Sequence, residues 1–229
     1  MSRLASLYVF LLIAGACAPT RIITPLQRGS TQVGLNAGGP LIRFRGKVIP
    51  IPFSSLYAAH GWTNTTSIYG GLHLTSLVYK TFQLDAGLAH RFYQSPNTHL
   101  QLIGGGSLMS AVALTNGATR VFPITHLHAV YIPSSSLKLY GGAAVWWDFY
   151  QSIRQSQTTY RWASPAFYTG IQWAQASPWT FTLEYKLLNP FVPNDKTVVE
   201  YVHWSHYGAQ GLYLSVTYQL PAPKKKSIQ

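Results

Sequence analysis

Residues 136–150 read SLKLYGGAAVWWDFY, and the reading of this stretch decides the fold. Its odd positions, Leu137, Leu139, Gly141, Ala143, Val145, Trp147 and Phe149, are apolar throughout. Its even positions hold both charges, Lys138 and Asp148, together with Tyr140, Trp146 and Tyr150. Successive side chains of a β-strand point to opposite faces, so all the charge falls on one face and the other is apolar. A strand needs about 9–11 residues to cross a bilayer, and this one is long enough. A single strand of this kind fits many proteins. A whole series with the same polarity specifies a transmembrane barrel.

The same alternation runs outward in both directions. Before it come Thr31–Gly38, Ser54–Trp62, Thr66–Ser76, Thr81–Tyr93, Thr98–Ala113 and Thr119–Tyr131; after it come Arg161–Ala174, Pro178–Leu188 and Gln210–Leu220. Residues 178–188 are the most regular, with Trp179, Phe181, Leu183, Tyr185 and Leu187 set against Thr180, Thr182, Glu184 and Lys186. A helix repeats every 3.6 residues and does not produce this period. The expected fold is all-β: an antiparallel up-and-down transmembrane β-barrel of about ten strands, spanning residues 31–220. Leu41–Pro52 (LIRFRGKVIPIP) reads either as an ordered external loop or as an extra hairpin arm.

Composition agrees with a wall that faces lipid. Charged residues make up 10% of the 229, far below the roughly 25% of a soluble domain. Aromatics reach 14%, and Trp147, Phe149, Trp173, Trp179 and Tyr218 fall near strand ends on the apolar faces, where an interfacial girdle belongs. A soluble sandwich would turn the same residues inward, and alternation alone does not separate the two. The signal peptide described below and the loop lengths together tip the balance. Residues 62–66, 93–98, 132–136 and 174–178 are tight turns, whereas 39–53, 115–118, 151–160 and 189–209 are mostly longer, with 77–80 a short exception. Short periplasmic turns and longer external loops mark outer-membrane barrels, and ten strands place both termini on the short-turn side.

The formal charge is +12, from 17 basic and 5 acidic residues, which favours anionic partners. The basic residues are scattered and follow a secretion signal, so outer-membrane lipid or lipopolysaccharide is expected as a partner and nucleic acid is not. The only basic run is Lys224–Lys226, in the tail 221–229.

Residues 1–16 have the layout of a signal peptide: Arg3, the apolar run Leu7–Ile13, then Ala14, Gly15 and Ala16. Cys17 is the sole cysteine, which rules out an intramolecular disulfide. Ile13-Ala14-Gly15-Ala16-Cys17 resembles the lipobox of bacterial lipoproteins, departing from its strongest form in having Ala14 in place of Leu. The resemblance implies lipid on Cys17 as the mature N-terminal residue and, with Ala18 following, sorting to the outer membrane. Residues 17–30 contain two prolines and no periodicity, so they read as a lipidated tether that starts on the periplasmic side. The last strand ends Tyr218-Gln219-Leu220, without the terminal aromatic that outer-membrane barrels commonly carry.

Inward-facing polar residues would bring Asp85, Arg91, Arg120, His126, His128, Lys138, Asp148, Glu184 and Lys186 into the lumen. Small barrels are filled by side chains and buried charges must pair, so these nine are expected to form a structural polar network rather than a catalytic site. His126 and His128 share one strand face, and His203 and His206 share the last long loop. Neither pair has the further ligands of a zinc site, and no metal or cofactor is expected. Gly104-Gly105-Gly106 lacks the Lys-Ser/Thr of a phosphate loop. Acidic residues at a barrel rim also serve proteases of the omptin family, but the motifs of that family are absent. The functional expectation is an outer-membrane barrel with a structural or surface-interaction role, its external loops meeting an extracellular or periplasmic protein. The alternatives are a soluble lipocalin-like binder of a hydrophobic ligand, a narrow pore and a rim hydrolase.

Overall fold

The computed structural model describes residues 19–96, 99–149, 162–174, 178–194 and 200–221. Its strands are β1 (Thr31–Phe44), β2 (Lys47–Pro50), β3 (Phe53–Gly61), β4 (Thr66–His73), β5 (Thr81–Gln94), β6 (Leu100–Ala113), β7 (Thr119–Ser134), β8 (Leu137–Trp147), β9 (Ala163–Ala174), β10 (Trp179–Pro193) and β11 (Tyr207–Gln219). Each barrel strand pairs antiparallel with its neighbours in sequence, and β11 returns to pair with β1 from Gln32↔Gln219 to Pro40↔Gly211. The result is a closed ten-strand barrel, with β2 lying outside the ring.

The alternation settles which face points where. Leu127 is 58% exposed and Leu214 56% exposed, while Glu184 and Tyr213 on the opposite faces are at 0%. The apolar faces are therefore outside and the polar faces inside. A lipocalin-like binder needs the reverse, with apolar residues around a cavity, and this correction removes the soluble alternative. The aromatic residues collect at the two ends of the wall. Trp179 meets Tyr218 edge-on at 4.9 Å near the end where β1 begins and β11 ends, and Trp147 stacks on Trp162 at 5.1 Å at the other. Leu183 is midway along the ring portion of β10, so Leu183→Arg is expected to cost about 2–4 kcal/mol of stability in lipid. The midpoint of denaturant unfolding in liposomes checks this.

Three segments depart from simple alternation. The strand expected over Thr66–Ser76 stops at His73, and Leu74–Val78 forms a short helix, α1. Within it the Ser76 hydroxyl donates to the His73 carbonyl at 2.7 Å, a local bond that competes with the strand ladder. Leu41–Pro52 takes the hairpin option. Strand β1 runs on past the barrel, turns at Arg45-Gly46 (φ 49° and 76°) and returns as β2. Positive φ at both turn residues matches the right-handed twist of the flanking strands. Beside this hairpin Glu200 and Tyr201 form a collar: the Arg43 N–H donates to the Glu200 carbonyl at 3.0 Å and Ile42 bridges Tyr201. The expected external segment 151–160 lies outside the described residues.

The largest departure concerns residues 17–30, read as a tether. Residues 19–26 are not outside the barrel but within it. Gly29 N–H donates to the Gly61 carbonyl at 2.8 Å and Gly61 N–H to the Ser30 carbonyl at 2.9 Å, closing a turn at the barrel mouth. The approach is so close that a Cβ on Gly61 would overlap the Gln27 carbonyl. Beyond the turn the chain runs back up the lumen, and Ile22 and Ile23 end 2% and 3% exposed among Tyr57, Ala59, Ala89, Ile103 and Val130. The reason is width. Strand spacing and tilt give a backbone radius of about 8 Å for eight strands and about 10 Å for ten. Side chains fill the first; the second leaves room on the axis for one extended chain.

Candidate functional site

The lumen and its occupant form the candidate site, and the segment is held at successive depths by the wall. At the mouth the Leu26 N–H donates to Ser67 Oγ on β4 at 2.7 Å. Next, Lys138 Nζ on β8 donates to Thr24 Oγ1 at 2.7 Å, and His128 Nε2 on β7 donates to the Ile23 carbonyl at 3.0 Å. Tyr168 of β9 is 3.2 Å from the other nitrogen of the His128 ring, so both ring nitrogens have partners. Ile22 and Ile23 fill the apolar ring at this level.

Arg21 is the centre of the arrangement. Its Nη2 and Nε donate to the two oxygens of Asp85 on β5 at 2.9 and 3.2 Å, and its Nη1 donates to Ser55 Oγ on β3 at 2.8 Å. The guanidinium carbon also stands 5.1 Å from the centre of the Tyr57 ring. A two-pronged Arg–carboxylate pair fixes geometry as well as charge. His73 Nε2 is a further 3.2 Å neighbour of Asp85. One residue on, the Thr20 N–H reaches both oxygens of Glu184 on β10 at 3.1 and 3.2 Å. Glu184 also accepts from Tyr140 Oη at 2.8 Å and pairs with Lys186 at 3.2 Å. A buried carboxylate is tolerable only when paired and hydrogen-bonded, and both carboxylates here draw part of that from the segment. Above Thr20 a cavity of about 90 Å³ continues, lined by Ser107, His126, Trp146, Ser164 and Lys186 among others.

Of the nine residues expected in the lumen network, Asp85, His126, His128, Lys138, Glu184 and Lys186 line the lumen or the cavity above the segment. The other three lie towards the two ends of the barrel. Arg91 lies at the mouth, where its Nη2 donates to the Asn64 carbonyl at 3.2 Å in an exposed position. Arg120 is the second residue of β7, at the far end, and Asp148 follows the last residue of β8, its N–H donating to the Trp162 carbonyl at 2.9 Å. Strand parity gives the face of a residue but not its depth, and all three lie near strand ends. The key residue that parity missed is Arg21, which is on no strand. His73, Ser55 and the tyrosines 57, 140 and 168 were visible as inward positions but were not singled out.

His126 and His128 stack at 5.7 Å, and His203 and His206 at 5.1 Å. Among the described residues no group of three or more His, Cys, Asp or Glu gathers as a metal would require. Cys17 and residues 1–16, expected to be a signal peptide, lie outside the described residues, as does most of the tail 221–229.

No family model and no curated protein matches the chain. Solved structures do. An outer membrane channel from Pseudomonas putida F1 is similar over 88% of this chain and 99% of its own, with a TM-score of 0.55 at 9% identity. More distant are the NanC porin, at TM-score 0.46, 6% identity and 82% and 100% coverage, and Ail of Yersinia pestis, solved with the heparin analogue sucrose octasulfate, at 0.30, 14%, 83% and 97%. At such identities the likeness is one of fold. The chain has the fold of an outer-membrane β-barrel.

Proposed function

We propose that this is a bacterial outer-membrane barrel, with its termini on the periplasmic side, that is closed to solutes at rest and works through its outer rim. The occupied, charge-paired lumen carries the reading: a segment bonded to strands on several sides of the barrel fills its axis, which supports a closed lumen and a working surface outside. Orientation is supported by the tight turns lying at the end where β1 begins and β11 ends, the usual periplasmic arrangement. The opposite end carries the β1–β2 hairpin, where Arg43, Arg45 and Lys47 are exposed beside exposed Phe44 and Val48. Arg43 pairs with Glu200 at 3.4 Å, but both side chains are more than half exposed, and such a pair is worth at most about 1 kcal/mol. The rim thus keeps a net basic character suited to the phosphates of outer-leaflet lipopolysaccharide or to an acidic surface partner.

Two measurements on the full chain test this reading. In planar bilayers the protein is expected to give no steady conductance. On intact cells, trypsin is expected to cut the hairpin at Arg43, Arg45 or Lys47. Cutting that occurs only after the outer membrane is breached would reverse the orientation, and steady full-chain current would end the closed-barrel reading.

A further inference from the structure

We infer that residues 19–26 are a displaceable stopper, and that the barrel without them is a pore for small hydrophilic solutes. The inference rests on the closed resting state above and adds an activity to it.

The mode of attachment supports it. Residues 19–26 form no strand and join no ladder; they are held by side chains of the wall and by their own Arg21 and Thr24. The backbone–backbone bonds lie at the turn, between Gly29 or Ser30 and Gly61. The segment can therefore leave without unpairing any strand. The turn is suited to a hinge, since Gln27, Arg28 and Gly29 are exposed and Gly29 has φ +80°. The ring does not need the segment for closure, because β1 and β11 pair over their shared length on their own.

The wall beneath the segment is also built for water. Asn36, Ser55, Ser67, Gln83, Gln101, Thr182, Ser215 and Thr217 are buried polar residues of the strands. In a ten-strand ring of about 10 Å backbone radius, withdrawal would let water reach these groups along with Asp85 and Glu184. That hydration offsets much of what the segment's bonds supply. The seal is the apolar level where Ile22 and Ile23 meet Ala59, Ala89, Ile103 and Val130. With Arg21 gone, the wall charges that bond the segment or pair with those that do, Asp85 and Glu184 against Lys138 and Lys186, cancel. The open pore is then expected to discriminate weakly between cations and anions.

The test compares the full chain with a chain in which residues 19–28 are removed, each refolded into planar bilayers in potassium chloride. Heat-modifiable mobility on a detergent gel controls for folding. The expected result is steady ohmic steps from the shortened chain, a quiet full chain, and a cation-to-anion permeability ratio within about twofold of unity. A shortened chain that folds yet stays quiet overturns the inference, as does equal conductance from both chains. Smaller steady steps from the full chain would count against closure at rest while still supporting the stopper. If the shortened chain does not fold, a protease recognition sequence placed at residues 27–29 is cut after folding. Steps that appear on cutting support the stopper, and silence after mass spectrometry shows the segment released overturns it.

Discussion

Arg21→Ala is expected to loosen the N-terminal segment in the lumen by about 3–5 kcal/mol, a factor on the order of 10²–10⁴ in its docking equilibrium. Arg21 supplies both hydrogen bonds of the two-pronged pair with Asp85 and a third to Ser55. Truncating it leaves a buried carboxylate with only His73 nearby, at 3.2 Å. Because the segment can move aside and admit water, the penalty falls on docking rather than on the barrel. Hydrogen exchange separates the two. The amides of Thr20 and Leu26, which donate to Glu184 and Ser67, should exchange much faster, while amides of the β1–β11 ladder keep their protection. Exchanging the charges, Arg21→Glu with Asp85→Arg, should recover part of the loss. Equal loss of protection in the segment and the strands would mean that Arg21 supports the barrel as a whole.

Glu184→Ala is expected to act on the barrel itself, at about 3–5 kcal/mol, since Glu184 belongs to the wall. Its carboxylate meets the Thr20 amide, the Tyr140 hydroxyl and the Lys186 ammonium, and the residue has no exposure. Without it the lysine loses its carboxylate, keeping the rings of Tyr168 and Tyr213 at 5.3 and 5.5 Å. Removing both ends of a buried pair is often milder than removing one. Glu184→Leu with Lys186→Met is therefore expected to unfold at a higher denaturant concentration than Glu184→Ala alone. A double variant less stable than the single one would show that the two residues do not act as a pair.

The wall was legible because its signal is local. Residues 179–187 alternate without a break, and the inward Thr182, Glu184 and Lys186 are buried while Phe181 and Leu183 are exposed. The hairpin at 41–50 was less legible because prolines 40, 50 and 52 interrupt the alternation around it. The occupant was barely legible. Its position depends on contacts to residues 34 to 164 places away in sequence, and a stretch with two prolines shows no period. One trace was present: Arg21-Ile22-Ile23 is unusually apolar for a solvated tether.

The central claim, that residues 19–26 occupy the lumen, is tested most directly by thiol labelling. In a Cys17→Ser background, Ile23→Cys and Arg28→Cys are each treated with a water-soluble maleimide in the folded, unboiled barrel. Ile23 is 3% exposed and Arg28 lies in the exposed turn at the mouth. The account predicts rapid labelling at position 28 and none at position 23 until the barrel is unfolded. Equal, rapid labelling at both positions in the folded barrel would contradict it.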